Sequence, residues 1–111
     1  MRSKAVNKSK NMILAKGHVD NGRKLVAVCD AELLRKRFEG KGLQLDLTGS
    51  FYKGQQVSKE KLQQLIKDAY VVNLVGEEAI AFGVKTGLIK KENVIRIANV
   101  PHAQALITGG T

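Results

Sequence analysis

The dipeptide Asn21-Gly22 constrains this chain more than any other feature. Both residues tolerate the positive φ that a two-residue hairpin turn needs at its two central positions, and apolar segments flank them. Residues 12–16 read as one strand, Asp20-Asn21-Gly22-Arg23 as the turn, and residues 25–29 as the returning strand. The fold is expected to begin at Met12 with a β-hairpin.

Beyond it, helix and strand patterns alternate. Asp30 stands where a helix N-cap belongs, and Leu33, Leu34 and Phe38 share one face of a helix over residues 31–38, ended by Gly40 and Gly42. Leu43, Leu45 and Leu47 alternate with Gln44 and Asp46 as a half-buried strand, and the TGSFYKG segment at residues 48–54 is a turn-rich loop. Ser58 caps a second helix over residues 59–69, where Leu62, Leu65, Ile66 and Ala69 recur at spacings of three and four. Residues 70–74 form a short strand with β-branched Val71 and Val72, Gly76 opens a third helix through Thr86, and Gly87 stands at its C′ position. Val94, Ile95 and Ile97 read as a further strand, and residues 103–107 as a last one. The expected fold class is α+β: a single small domain over residues 12–111, with about three helices on a mixed or antiparallel short-stranded sheet.

Composition narrows the function classes. A chain of 111 residues has room for one core, so a multidomain enzyme is excluded. One cysteine can form neither an intramolecular disulfide nor a cysteine-rich zinc site, and no apolar run is long enough for a membrane span or signal core; a cytoplasmic protein is expected. The net charge of +9 favours a polyanionic partner. Arg2, Lys4, Lys8 and Lys10 fall within the first ten residues with no acid among them, so residues 1–11 read as a basic flexible arm.

Cys29 ends a strand beside a helix start, where a thiol can be activated, but alternation puts it with Leu25 and Ala27 on a packed face, and only His18 and His102 are available as bases. Asn73, Gly76 and Glu77 surround a strand-to-helix turn whose free amides attract anions; against this, Glu77 and Glu78 make the turn acidic, as helix-dipole complements do. His102 and Gln104 lie two apart on one side of an extended segment, able to read a base edge or a phosphate, or to serve as structural hydrogen-bonding groups. No spacing marks a metal site, and no cofactor is expected.

Arg35, Lys36, Arg37 and Lys41 form a basic cluster, with Lys90 and Lys91 as a second. Arginine forks clamp phosphates, although a solvated charged face has the same composition. Phe51 and Tyr52 can stack on an unpaired base beside Lys53, or plug the core.

VAVCDAELL at residues 26–34, FYKG at 51–54, NLVGE at 73–77 and VPHAQ at 100–104 come in an order that resembles the archaeal domain of unknown function family number 424. The likeness covers about residues 12–108. It implies an archaeal cytoplasmic protein with a small α+β domain, in the company of translation genes, and brings no catalytic set to transfer. The basic arm and Arg35, where a glycine often follows the Leu-Leu pair, depart from the family pattern and add positive charge.

The expected function is a non-enzymatic, RNA-associated protein of the translation apparatus, ribosomal or ribosome-bound. It would dock on rRNA in a ribosomal subunit through Arg2, Lys4, Lys8, Lys10, Arg35, Lys36, Arg37, Lys41 and Lys53, with neighbouring ribosomal proteins as further partners. The alternative is a small enzyme acting on RNA or a nucleotide, with His102 or Glu77 as acid or base and Asn73 and Gln104 orienting the substrate, which requires these four to converge on one pocket. A third reading is a protein adaptor that uses the hairpin or the second helix.

Overall fold

A computed structural model describes residues 12–107. The hairpin at its start pairs β1 (Ile13–Asp20) with β2 (Arg23–Asp30) over their whole lengths. Asn21 and Gly22 close it at φ of 54° and 76°, as the dipeptide demands.

The chain then makes a second hairpin where a helix was expected over residues 31–38. Only a 3₁₀ turn over Ala31–Leu33 forms; Leu34 is extended, and Arg35 reverses the chain at a φ of 75°. The Arg35 amide donates to the Leu47 carbonyl at 2.7 Å, and the Leu47 amide donates to Lys36 at 2.8 Å. β3 (Arg37–Gly40) then pairs with β4 (Leu43–Asp46), so backbone groups that a helix would satisfy internally are satisfied across a ladder. Lys41 and Gly42 are the turn of this hairpin rather than a helix stop.

Short β5 (Gln55–Val57) pairs with β1 through Ile13, Leu14 and Ala15 only. Helix α1 (Lys59–Leu65) follows, and the Ser58 hydroxyl accepts the Lys61 amide at 3.1 Å. It ends four residues before Ala69 because the chain must return to the sheet: the Tyr70 amide already donates to the Lys24 carbonyl. The Lys24 ammonium satisfies the last turn, donating to the Leu65 carbonyl at 2.8 Å and to Asp68 at 2.9 Å. β6 (Val71–Val75), α2 (Glu77–Lys85), a 3₁₀ turn at Lys91–Asn93, β7 (Ile95–Ile97) and β8 (Val100–Leu106) complete the domain. Among the described residues there are two α-helices, not about three.

The main sheet has the order β5-β1-β2-β6-β8-β7, with β2 and β6 parallel and every other pair antiparallel. Its two faces are packed differently. On one, Ile13, Val26, Val28, Val72, Leu74, Ala103 and Ala105 meet Leu62 of α1 and Ala79, Ile80 and Phe82 of α2. On the other, Cys29, Ala27 and Val75 meet Leu45 and Leu47 from the β3–β4 hairpin and Tyr52 from the loop after it.

Asp30 does not cap the segment that follows it. Its carboxylate crosses to the start of α2, accepting the Glu78 amide at 2.9 Å and the Ala79 amide at 2.8 Å. Gly76 holds the capping position at a φ of 112°, and a β-carbon there would collide with the Asp30 carboxylate. Burial of Asp30 to 1% exposure raises its pKa, opposed by the two amide hydrogen bonds.

Candidate nucleic-acid interface

The sequence candidates fall on several surfaces. Arg35, Lys36, Arg37 and Lys41 are all exposed on the β3–β4 hairpin, which stands on the sheet as an outer layer and rests its end against the β7–β8 turn. Their only described ion pair is the 3.4 Å contact of Arg37 with Glu39, both well exposed. Such a pair exchanges readily for a phosphate, because exposed ion pairs contribute about 0–1 kcal/mol. Arg2, Lys4, Lys8 and Lys10 lie outside the described residues.

Lys53 belongs to a second cationic feature. With Lys16 and Lys61 it lines a groove of about 510 Å³ along the outer edge of β1, and no acidic residue lines it. The groove exists because β5 stops opposite Ala15, leaving the rest of that edge without a described strand partner. Lys16 and Lys61 were missed in the sequence because neither belongs to a run of neighbouring cations: Lys16 is the single cation of β1, and Lys61 is separated from Lys59 by Glu60. The signal for Lys16 was its alternation with Leu14 and His18, which puts all three on one side of the strand.

The FYKG pair divides. Tyr52 plugs the second core at 6% exposure, whereas Phe51 is 39% exposed and stacks on His18 with ring centroids 4.6 Å apart. The His18 Nε2–H donates to the Phe51 carbonyl at 2.9 Å, and the Lys16 ammonium reaches the Ser50 carbonyl at 3.2 Å. These contacts pin the loop across β1.

Cys29 is fully buried, and its thiol donates to the Tyr52 carbonyl at 3.8 Å. Burial, reinforced by the Asp30 charge, pushes its pKa up to about 12, so the thiolate needed of a nucleophile is suppressed. The anion-attracting amides at the start of α2 are likewise spoken for, since Asp30 occupies those of Glu78 and Ala79.

Asn73 and Gln104 are brought together, directly opposite each other on β6 and β8. His102 faces Val75 one step further along the same side. Burial lowers its pKa, favouring the neutral imidazole. Glu77 does not join them: it pairs with Arg96 at 3.0 Å, and strand alternation puts Arg96 on the helix-bearing side, opposite Ile95 and Ile97. The four groups of the enzymatic alternative are thus split across the sheet. Glu77 instead lines a groove of about 620 Å³ with Ile80, Val84, Lys91 and Val94.

Among the described residues, no group of three or more His, Cys, Asp or Glu is placed to hold a metal ion, and no helix is long and apolar enough to cross a membrane. No curated protein matches the chain. Its fold is similar to that in the crystal structure of an uncharacterized conserved protein from Methanopyrus kandleri, at 25% identity and a TM-score of 0.73, over 86% of this chain and 91% of that one. Residues 18–107 match the family described as Protein of unknown function (DUF424), a match that takes in both helices, the basic hairpin and every strand except the first part of β1; the chain belongs to the DUF424 family.

Proposed function

We propose that the protein is a non-enzymatic, RNA-associated component of the translation apparatus that docks on ribosomal RNA. The observation that carries this reading is the concentration of Arg35, Lys36, Arg37 and Lys41 on one exposed hairpin. The hairpin core is tied down by Leu45, Leu47 and Phe38, so the cations ride on a rigid support and lose little backbone freedom on binding. Arginine forks clamp phosphate oxygens, lysines add point charges, and released counterions supply the free energy. The arm would add Arg2, Lys4, Lys8 and Lys10, ordering along the RNA as it binds. The choice of ribosomal RNA rests on the company with translation that the family resemblance implies.

The test is a sucrose gradient of native lysate at low and high salt. Co-migration with one ribosomal subunit, weakened by salt and lost when the four hairpin cations become alanine, is the expected result. Absence from every ribosomal peak at low salt overturns the ribosomal claim.

A further inference from the structure

The half of the second sheet face that the hairpin leaves bare carries a row of side chains across four strands. Register puts His18, Leu25, Val71 and Leu106 side by side on β1, β2, β6 and β8. Phe51 lies on His18 at one end of the row, and Leu106 is 62% exposed at the other. Asn73 and Gln104 border this shelf on the side towards the covered core, each offering amide donors and acceptors.

Neighbouring strands are about 4.8 Å apart, so the row runs on the order of 14 Å, room for two unpaired bases. Its frame is cationic. Lys16 occupies the strand position next to His18, and the groove it shares with Lys53 and Lys61 opens along the adjoining edge. At the turn end Arg23 stands over the Tyr70 ring at 4.3 Å; Asp20 opposite it is the single acid among the described strand positions of this face. An aromatic and aliphatic floor, an amide border and a lysine-lined edge together match single-stranded RNA: every base has a π-face to stack, and the phosphates need cations.

We propose that this shelf binds unpaired bases of single-stranded RNA, stacked on Phe51 and laid towards Leu106, with the phosphates held by Lys16, Lys53 and Lys61. The site rests on the RNA reading but is separate from the hairpin surface. Asn73 and Gln104 meet the base edges, giving these two residues a binding role in place of the catalytic-orientation role considered above.

The experiment titrates the full chain into a fluorescein-labelled oligouridylate and, in parallel, into an RNA duplex of equal length. Phe51→Ala and Leu106→Glu are the variants, chosen because both positions are exposed and neither belongs to a core cluster. Loss of a stacked base weakens single-strand affinity by roughly 5- to 150-fold, from about 1–3 kcal/mol per base. The expected result is this loss in both variants with duplex binding unchanged. Wild-type affinity of both variants for the single strand overturns the shelf, as does equal weakening for single strand and duplex. A wild-type chain that binds the duplex or co-migrates with ribosomes but ignores the oligouridylate overturns the shelf and leaves the RNA reading standing. A chain that does neither overturns both. Self-association that Leu106→Glu abolishes, with RNA binding unaltered, would assign the shelf to a second copy of the chain and overturn the proposal.

Discussion

The two faces of the main sheet share five residue-by-residue strand ladders, yet they do different work. The helix-bearing face is closed by α1 and α2 over an apolar cluster that includes Leu62 and Leu74, both fully buried. The other face is closed only where the β3–β4 hairpin and Tyr52 sit, and the remainder exposes Leu106, Phe51 and the Asn73–Gln104 pair. One face is closed along its length, whereas the other is closed over its own smaller core and leaves the rest of its side chains exposed. The most direct way to break this comparison is Leu74→Ala against Leu106→Ala in urea unfolding. Leu74→Ala is expected to cost about 2–5 kcal/mol, through lost burial and the cavity left behind. Leu106→Ala should stay within about 0.5 kcal/mol, as exposed sites do. Equal losses would mean that the bare shelf is part of the core.

Asp30 ties the sheet to the helix packed on it, since it ends β2 and seats the first turn of α2. Asp30→Ala leaves two amide donors without their acceptor, and a cost of about 1–3 kcal/mol is expected in the same assay. The pH dependence has a definite sign. Burial raises the folded-state pKa of Asp30 above the ordinary carboxylate value of 3.8, so the folded chain holds this proton more tightly than the unfolded chain does. The stabilisation from that proton is fully present below the unfolded value and is lost as pH rises through the folded one. Asp46 and Asp68, whose pKa values are lowered by hydrogen bonds to Thr48 and Lys24, act in the reverse direction. Urea midpoints of wild type and Asp30→Asn across the acid range isolate the Asp30 part: wild type should lose stability relative to the variant as pH rises. A difference independent of pH would show that Asp30 titrates alike in both states.

Sequence periodicity served well wherever local preference and tertiary need agreed. Asn21-Gly22 fixed its hairpin, Ser58 its helix, and alternation the strand at residues 43–46, because each signal acts within a few residues. It misled at residues 31–38. Leu33, Leu34 and Phe38 do all enter one cluster, as the helical spacing required, but they do so from a 3₁₀ turn and a strand, whose backbone partners lie at Leu47 and β4. Apolar spacing records which side chains are buried, not which ladder satisfies the amides. The shelf was illegible for a related reason. Asn73 and Gln104 were separately visible, but only the β6–β8 register sets them face to face, and only the β1–β2 hairpin brings His18 level with Val71.

Charge gives the smallest effects on stability and sharpens the comparison from the binding side. Replacing Arg35, Lys36, Arg37 and Lys41 by alanine removes exposed side chains whose one described ion pair is weak, so stability should change by no more than about 1 kcal/mol. RNA affinity should fall steeply with the same changes, and its salt dependence with it. Deleting residues 1–11 removes four more cations. If those four meet phosphates, the slope of log K against log salt should drop in magnitude by roughly three to four. Measured by anisotropy over a salt series, an unchanged slope would remove the arm from the interface and leave its contacts to the hairpin. An unchanged slope in the hairpin variant as well would separate the cationic surface from RNA binding. The half-covered face would then have to account for any affinity that remains, through stacking on Phe51 and the salt-dependent phosphate contacts of Lys16, Lys53 and Lys61.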